Sequence, residues 1–354
     1  MPELTALTEA AVALLEQLIK TPSFSREEDG TATLIAKFLA AHGALPRRQG
    51  NNVWAVAPGH APDRPTVLLN SHHDTVKPGT AWTYAPFGAI WEGDKLIGLG
   101  SNDAGASAVS LLAVFLHLKD LPRAYNLICA ITAEEEISGA NGIASLLPAL
   151  GPIALGIVGE PTQMHLAVAE KGLLVLDCLA RGKTGHAARD EGENALYRAL
   201  DDIAWLRNHQ LPRISPLLGP VKTTATQISA GQQHNVVPDE CRFVVDVRTN
   251  ELYSNAEVVE ILRQNLQSEV TPRSLRLNSS RIATDHPIVQ RARALGKETY
   301  GSPTLSDQAL MPFATVKIGP GDSARSHTPD EFILRGEISS GIRDYVALLT
   351  DLVI

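Results

Sequence analysis

Four short runs that are apolar at nearly every position constrain the fold most. They are "NVWAVA" (52–57), "TVLLN" (66–70), "NLICAITA" (126–133) and "IALGIVGE" (153–160). A strand apolar on both faces needs cover on both faces, which helices on either side of a sheet supply. The intervening segments read as such helices. "ASAVSLLAVFLHLK" (106–119) is one. Another places Ala11, Leu14, Leu15, Leu18 and Ile19 on one face, with Pro22 beyond its end. The expected class is α/β, an α/β/α layered domain.

The pattern changes near residue 166. A strand "GLLVLDCLA" (172–180) precedes a helix from about Asn194, then come strands "TTATQIS" (223–229) and "ECRFVVDVR" (240–248). A capping box from Ser254 to Glu257 opens a second helix, and "SLRLN" (274–278) reads as a last strand. That order is β-α-β-β-α-β, the ferredoxin-like split motif. We therefore expect an α/β domain from residues 1–165 and 280–354, interrupted by an α+β domain over 166–279.

Composition narrows the function. A net charge of −8 without a basic stripe excludes nucleic acid as the expected partner. No apolar run approaches a membrane span, and "MPELTALTEAAVALLEQLIKTPSFS" lacks a signal-peptide pattern. Cys129, Cys178 and Cys241 lie in apolar strand-like runs and form no CxxC pair, as structural thiols of a reducing compartment do. A cytoplasmic protein with no membrane partner is expected.

In open α/β sheets, sites gather at the carboxyl ends of strands. After "TVLLN" comes "SHHDTV" with His72 and Asp74; after "KLIGLG" comes "SNDAGAS" with Asp103. The triplet Glu134–Glu136 follows the third run, and Glu160 ends the fourth. His327 sits late, in "GPGDSARSHTPDEF". Each has an ordinary alternative: a polar turn, a helix N-cap for Asp103, or a solvated acidic helix start for the glutamates. Together they are two histidines and several carboxylates that one sheet could gather, a donor set suited to zinc, cobalt or manganese. Other motifs fail. "GLGSND" puts Asp103 where a dinucleotide fingerprint needs its third glycine, "ARGKTG" lacks the first glycine of a P-loop, and "GDSAR" is no nucleophile elbow.

The ordered set "SHHDTV", "GLGSNDAGA", "TAEEEISG", "VGEPT" and "SHTPDEF" resembles the motifs of the di-zinc aminoacylase and carboxypeptidase family, which includes acetylornithine deacetylase and succinyl-diaminopimelate desuccinylase. The resemblance covers essentially the whole chain. It implies a zinc-peptidase-like catalytic domain with an inserted lid or dimerisation domain. It also implies two zinc ions, with cobalt or manganese as alternatives. His72 and Glu160 would hold one and Glu136 and His327 the other, Asp103 would bridge them, Asp74 would support His72, and Glu135 would be the general base. Two zinc ions bring four positive charges; Asp103, Glu136, Glu160 and a bridging hydroxide bring four negative ones. That neutrality suits a poorly solvated site. "GKTGHAARDEGENAL" resembles the segment that supplies an oxyanion-stabilising histidine across a dimer, here His186. "HNVVPDECRFVVDVR" resembles a substrate-binding segment, here Asn235 and Arg248.

The sequence departs from the family in three places. Leu99 stands where many relatives carry arginine, Ala104-Gly105-Ala106 lacks the lysine that often follows the bridging aspartate, and Glu134 replaces an aspartate. The activity implied is hydrolysis of an N-acyl amino acid, N-acetyl- or N-succinyl-ornithine first, as in arginine biosynthesis. Release of lysine or ornithine from a carrier protein's terminal glutamate comes next, then a dipeptidase. A non-catalytic metal-binding relative is the reading of a different class. His60, His73, His117, His165, His209, His234 and His286 are assigned structural or surface places.

Overall fold

Strands Thr66–His72 and Asn126–Thr132 are buried at every position, the condition their two-sided apolar sequences require. The computed structural model describes residues 2–354. The two strands pair in parallel, with His72 opposite Thr132. Leu155–Val158 runs parallel on the other side of Thr66–His72, and Thr315–Lys317 runs parallel beside Leu155–Val158. The carboxyl ends of all four strands therefore meet at one edge. Asn52–Val56 joins antiparallel, and Arg47–Gln49 pairs with it in turn.

Helix Ala106–Leu118 is buried along its whole length except at His117. A helix apolar around its circumference has no solvent face and belongs inside. Helices Pro2–Ile19 and Arg335–Leu349 pack against it. Leu111 and Leu112 are fully enclosed, so truncating either to alanine should cost about 2–5 kcal/mol. The result is the α/β class expected from the sequence.

Chain contacts define two units. One runs to Val168 and adds Ile282–Tyr300 and Ser306–Ile354; the other takes Ala169–Arg281 and Gly301–Leu305. The second unit has its own core, with Leu174, Leu176, Phe243, Val245 and Val258 buried together. Its four-stranded sheet places Lys222–Ala230 at one edge, then Glu240–Thr249, Gly172–Arg181 and Glu269–Pro272. Helix Ala195–Asn208 starts after Asn194, whose side chain accepts the Leu196 N–H. Helix Asn255–Asn265 starts after Ser254, which accepts the Glu257 N–H.

The last strand of this unit corrects the sequence expectation. It is Glu269–Pro272, not 274–278. The helix ends at Asn265, so the chain reaches the free edge of Gly172–Arg181 within a few residues, and Val270 supplies the buried contact. Further along, Leu275 is exposed. The Leu277 carbonyl accepts N–H groups from Leu173 and from the Asn255 side chain, so that segment caps the sheet.

Candidate metal centre

His72 is the final residue of its strand and is 1% exposed. Its Nδ1 lies 3.0 Å from the Asp74 backbone carbonyl and 3.4 Å from Asp74 Oδ1. Those acceptors place a proton on Nδ1 and direct Nε2 the other way. There Nε2 meets Asp103 Oδ1 at 3.2 Å and Glu160 Oε1 at 3.8 Å. With its one proton on Nδ1, a neutral ring would face these oxygens lone pair to lone pair. A cation removes that repulsion. Burial works against charging His72, yet Asp103 and Asp74 outweigh it and hold its pKa well above the usual histidine value.

Two donor sets share one residue. His72, Asp103 and Glu160 offer ligand atoms within 4.8 Å of one another, and so do Asp103, Glu136 and His327. His327 Nε2 lies 2.9 Å from Glu136 Oε2 and 3.6 Å from Asp103 Oδ2. The hydrogen bond to Glu136, followed by the charges of Glu136 and Asp103, raises the His327 pKa to about 9 against partial burial. Glu160 is pushed up to about 8, by burial first and by the nearby Asp103 charge. Buried carboxylates so placed either take up protons or hold cations. One imidazole and two carboxylates per set suit a divalent transition metal. The residues present therefore fit two ions.

Glu135 belongs to neither set. Its Oε2 is 3.9 Å from His72 Nε2. Burial raises its pKa well above the usual carboxylate value, the charges of Glu160, Asp307 and Glu136 add to the effect, and His72 opposes it. A proton-avid carboxylate beside the two donor sets but outside them has the properties of a general base.

The glutamate triplet is held by its backbone. Glu134 N–H donates to Glu28 Oε1 at 3.2 Å; the N–H groups of Glu135 and Glu136 donate to Asp74 at 3.0 and 3.2 Å. Asp74 also accepts the Ser25 hydroxyl at 2.7 Å. This one buried carboxylate thus orients His72 and fixes both following glutamates. Glu134 has φ +58°, and its carboxylate accepts from the Asn141 side chain at 2.8 Å and the Asn141 N–H at 3.3 Å. Its job is to close the turn after the strand. Gly139 packs so tightly against it that a Cβ there would fall 2.0 Å from Glu134 Oε2.

Asp103 is not a helix cap. Helix Ala106–Leu118 follows Gly105 without a side-chain cap, and the Asp103 carboxylate turns toward His72.

A profile of peptidase family M20/M25/M40 matches residues 68–351. The chain belongs to that family. It is 30% identical over 306 residues to acetylornithine deacetylase from Myxococcus xanthus, covering 80% of this chain and 79% of the relative. It is 25% identical over 344 residues to a succinyl-diaminopimelate desuccinylase from Cereibacter sphaeroides, covering 90% and 88%. Among solved structures, aminopeptidase PepT from Bacillus cereus superposes with a TM-score of 0.77 at 19% identity, covering 97% of this chain and 98% of that one. A dinuclear metal-binding peptidase of the M20 family from Bacillus subtilis gives 0.74 at 17% identity, covering 98% of both. These likenesses show a shared fold. The family membership makes the chain a metal-dependent amidohydrolase.

In this M20-family chain the remaining site candidates lie in the second unit. His186 pairs with Val236 on a short antiparallel ladder, and the Asn235 carbonyl accepts the Ala187 N–H, so His186 and Asn235 are neighbours. His186 Nδ1 accepts the Ala188 N–H at 3.1 Å, which leaves the proton of a neutral ring on Nε2. Arg248 makes two hydrogen bonds to Asp246, at 2.8 and 3.1 Å, so its fork is already engaged. His73, next to His72, uses both ring nitrogens elsewhere, with Thr31 Oγ1 at 2.8 Å and the Asn51 carbonyl at 2.9 Å.

Four supporting residues escaped sequence reasoning. Asn102, Glu331, Glu28 and Asp307 are all buried. Glu331 had a signal, being four residues past His327 in one motif. Glu28 and Asp307 had none, since only the fold brings them to the triplet and its strand.

Among the described residues no helix is long and apolar enough to cross a membrane.

Proposed function

We propose that this chain hydrolyses the amide bond of an N-acyl amino acid at two zinc ions. His72, Asp103 and Glu160 would hold one ion, and Asp103, Glu136 and His327 the other. Cobalt or manganese suits the same donors. Such ions, when bound, supply Lewis acidity at a carbonyl oxygen and lower the pKa of water. Glu135 removes a proton from the attacking water and returns it to the leaving nitrogen; its raised proton affinity favours a group that must hold the proton between the two steps. Asp74 keeps the His72 tautomer and the backbone of Glu135 in place. His186 presents an Nε2 proton to the oxygen where negative charge develops. Asn235 and Arg248 contact the substrate's polar groups, with Arg248 exchanging part of its hold on Asp246 for a substrate carboxylate. The observation that carries this reading is one aspartate shared by two donor sets, with the proton-avid Glu135 beside them and outside both.

The preferred substrate is N-acetyl- or N-succinyl-ornithine, in arginine biosynthesis. The Myxococcus xanthus relative supports it. The desuccinylase relative, matched over nine-tenths of the chain, favours N-succinyl-diaminopimelate and lysine biosynthesis as a second reading. We further propose a cytoplasmic enzyme that dimerises through residues 166–279. The deciding experiment is an assay of the zinc-loaded protein on acetyl-, succinyl- and glutamyl-linked ornithine, citrulline, lysine and diaminopimelate. Release of the free amino acid from an acyl-ornithine supports the first reading. Hydrolysis confined to succinyl-diaminopimelate supports the second, and hydrolysis of none overturns both.

A further inference from the structure

Three backbone N–H groups converge on one buried carboxylate behind the shared aspartate. Glu331 is 2% exposed. Its Oε1 accepts the N–H groups of Asn102 at 2.8 Å and Asp103 at 2.9 Å, and its Oε2 accepts the Gly100 N–H at 3.1 Å. Its own carbonyl accepts the Gly98 N–H at 2.9 Å. Four residues before it on the same loop stands His327. Asn102 completes the tie in the other direction. Its amide donates to the Asp322 carbonyl at 3.0 Å and accepts the Asp322 N–H at 3.0 Å. The segment that carries Asp103 and the loop that carries His327 are thus joined from both sides.

A carboxylate accepting several N–H groups at the bend of a loop fixes that backbone more firmly than a neutral side chain would. Here the fixed backbone carries a ligand common to both donor sets. We propose that Glu331 is a positioning residue for the metal centre, setting Asp103 and His327 in register with one another without touching a metal itself. The inference rests on the metal reading proposed above. Glu331→Gln keeps the size of the side chain but turns one acceptor oxygen into an NH2 group. Either Gly100 N–H or the Asn102 and Asp103 pair then meets a donor. Glu331→Ala removes all three acceptor contacts.

The test is calorimetric titration of metal-free, folded protein with Zn2+, alongside thermal unfolding with and without the metal. Loss of such an outer partner of metal ligands typically lowers metal affinity by about 10–100-fold. We expect Glu331→Gln to show a loss in that range for at least one of the two ions, and Glu331→Ala a larger one if it folds. The zinc-induced rise in unfolding temperature should shrink in step. A residue that only stabilises the fold would lower the metal-free unfolding temperature and leave zinc affinity unchanged, and that result overturns the proposal. Wild-type protein that takes up no zinc overturns the metal reading and this inference with it. Wild-type protein that binds two ions, with Glu331→Gln binding them equally well, overturns this inference alone.

Discussion

The two donor sets of the centre are built by different means. His72 ends a fully buried strand and is itself 1% exposed; its orientation is set by Asp74, which is completely buried. The side chain of His327 is 55% exposed and its backbone has φ +58°, on a loop between short elements. The first set is an extension of the sheet. The second hangs on loops: the Asn102 amide donates to the Asp322 carbonyl, Glu331 accepts the Asn102 and Asp103 N–H groups, and Asp74 accepts the Glu136 N–H. Asp103 links the two. Losing Glu136 or His327 leaves the three donors of the first set in place, whereas losing Asp103 breaks both.

Glu135→Ala should have the largest effect. Removing a general base costs about 10²–10⁴ in rate. Turnover should fall by roughly a thousandfold while zinc content stays near that of the wild type. Elemental analysis beside a steady-state assay checks this. Loss of zinc would mean that Glu135 is a ligand and that the two halves are divided differently.

Breaking each half at its histidine comes next. His72→Ala leaves buried carboxylates without their cationic partner, which should cost about 3 kcal/mol in unfolding free energy and empty the first donor set. His327→Ala removes a half-exposed side chain. It should change metal-free stability by less than about 1 kcal/mol and reduce zinc uptake from two ions to one. Urea unfolding with metal analysis distinguishes them, and equal destabilisation by both would erase the contrast.

A histidine of the rigid half that holds no metal gives a third test. Burial holds His73 near 4, against an ordinary value of 6.5. Below 6.5 the unfolded chain takes up a proton that the folded chain refuses until about 4, so stability falls as pH drops through that window. Between pH 7 and 5 the loss should be roughly 2 kcal/mol. In metal-free His73→Gln that part of the acid sensitivity should vanish. Identical pH slopes for the two proteins in urea titrations would show that His73 is not the buried neutral group described.

The smallest expected effect concerns the loop half's support. Glu134→Ala leaves the Asn141 donors without an acceptor, at about 1–2 kcal/mol. Zinc affinity should weaken slightly through Glu136, with catalysis largely retained. A variant as inactive as Glu135→Ala would give Glu134 a chemical role.

The same contrast explains what the sequence revealed. Strands Thr66–His72 and Asn126–Thr132 were legible because two-sided apolar runs have few places to go. The polar residues just beyond them were legible because strand ends share an edge. The order of motifs then pointed to the family. Among the supports of the loop half only Glu331 left a signal, its place in the motif of His327. Glu28 reaches the triplet from another segment, and the work of Glu331 is done on backbone N–H groups, which no side-chain pattern records. Glu134 read only as a departure from aspartate, since its partner Asn141 is found through a turn that the sequence does not announce. The last strand of the second unit is hard to place from sequence because "EVTP" carries one buried apolar residue, while the more strand-like "SLRLN" follows the same edge only through single hydrogen bonds such as that from Leu173 to Leu277.

The central claim is that one aspartate serves two ions while Glu135 binds neither. Anomalous X-ray diffraction at the zinc edge, from crystals of the zinc-loaded protein, tests it most directly. The account predicts two peaks, one among His72, Asp103 and Glu160 and one among Asp103, Glu136 and His327, with Glu135 outside both coordination shells. A single peak at saturating zinc, or a peak ligated by Glu135, would contradict it.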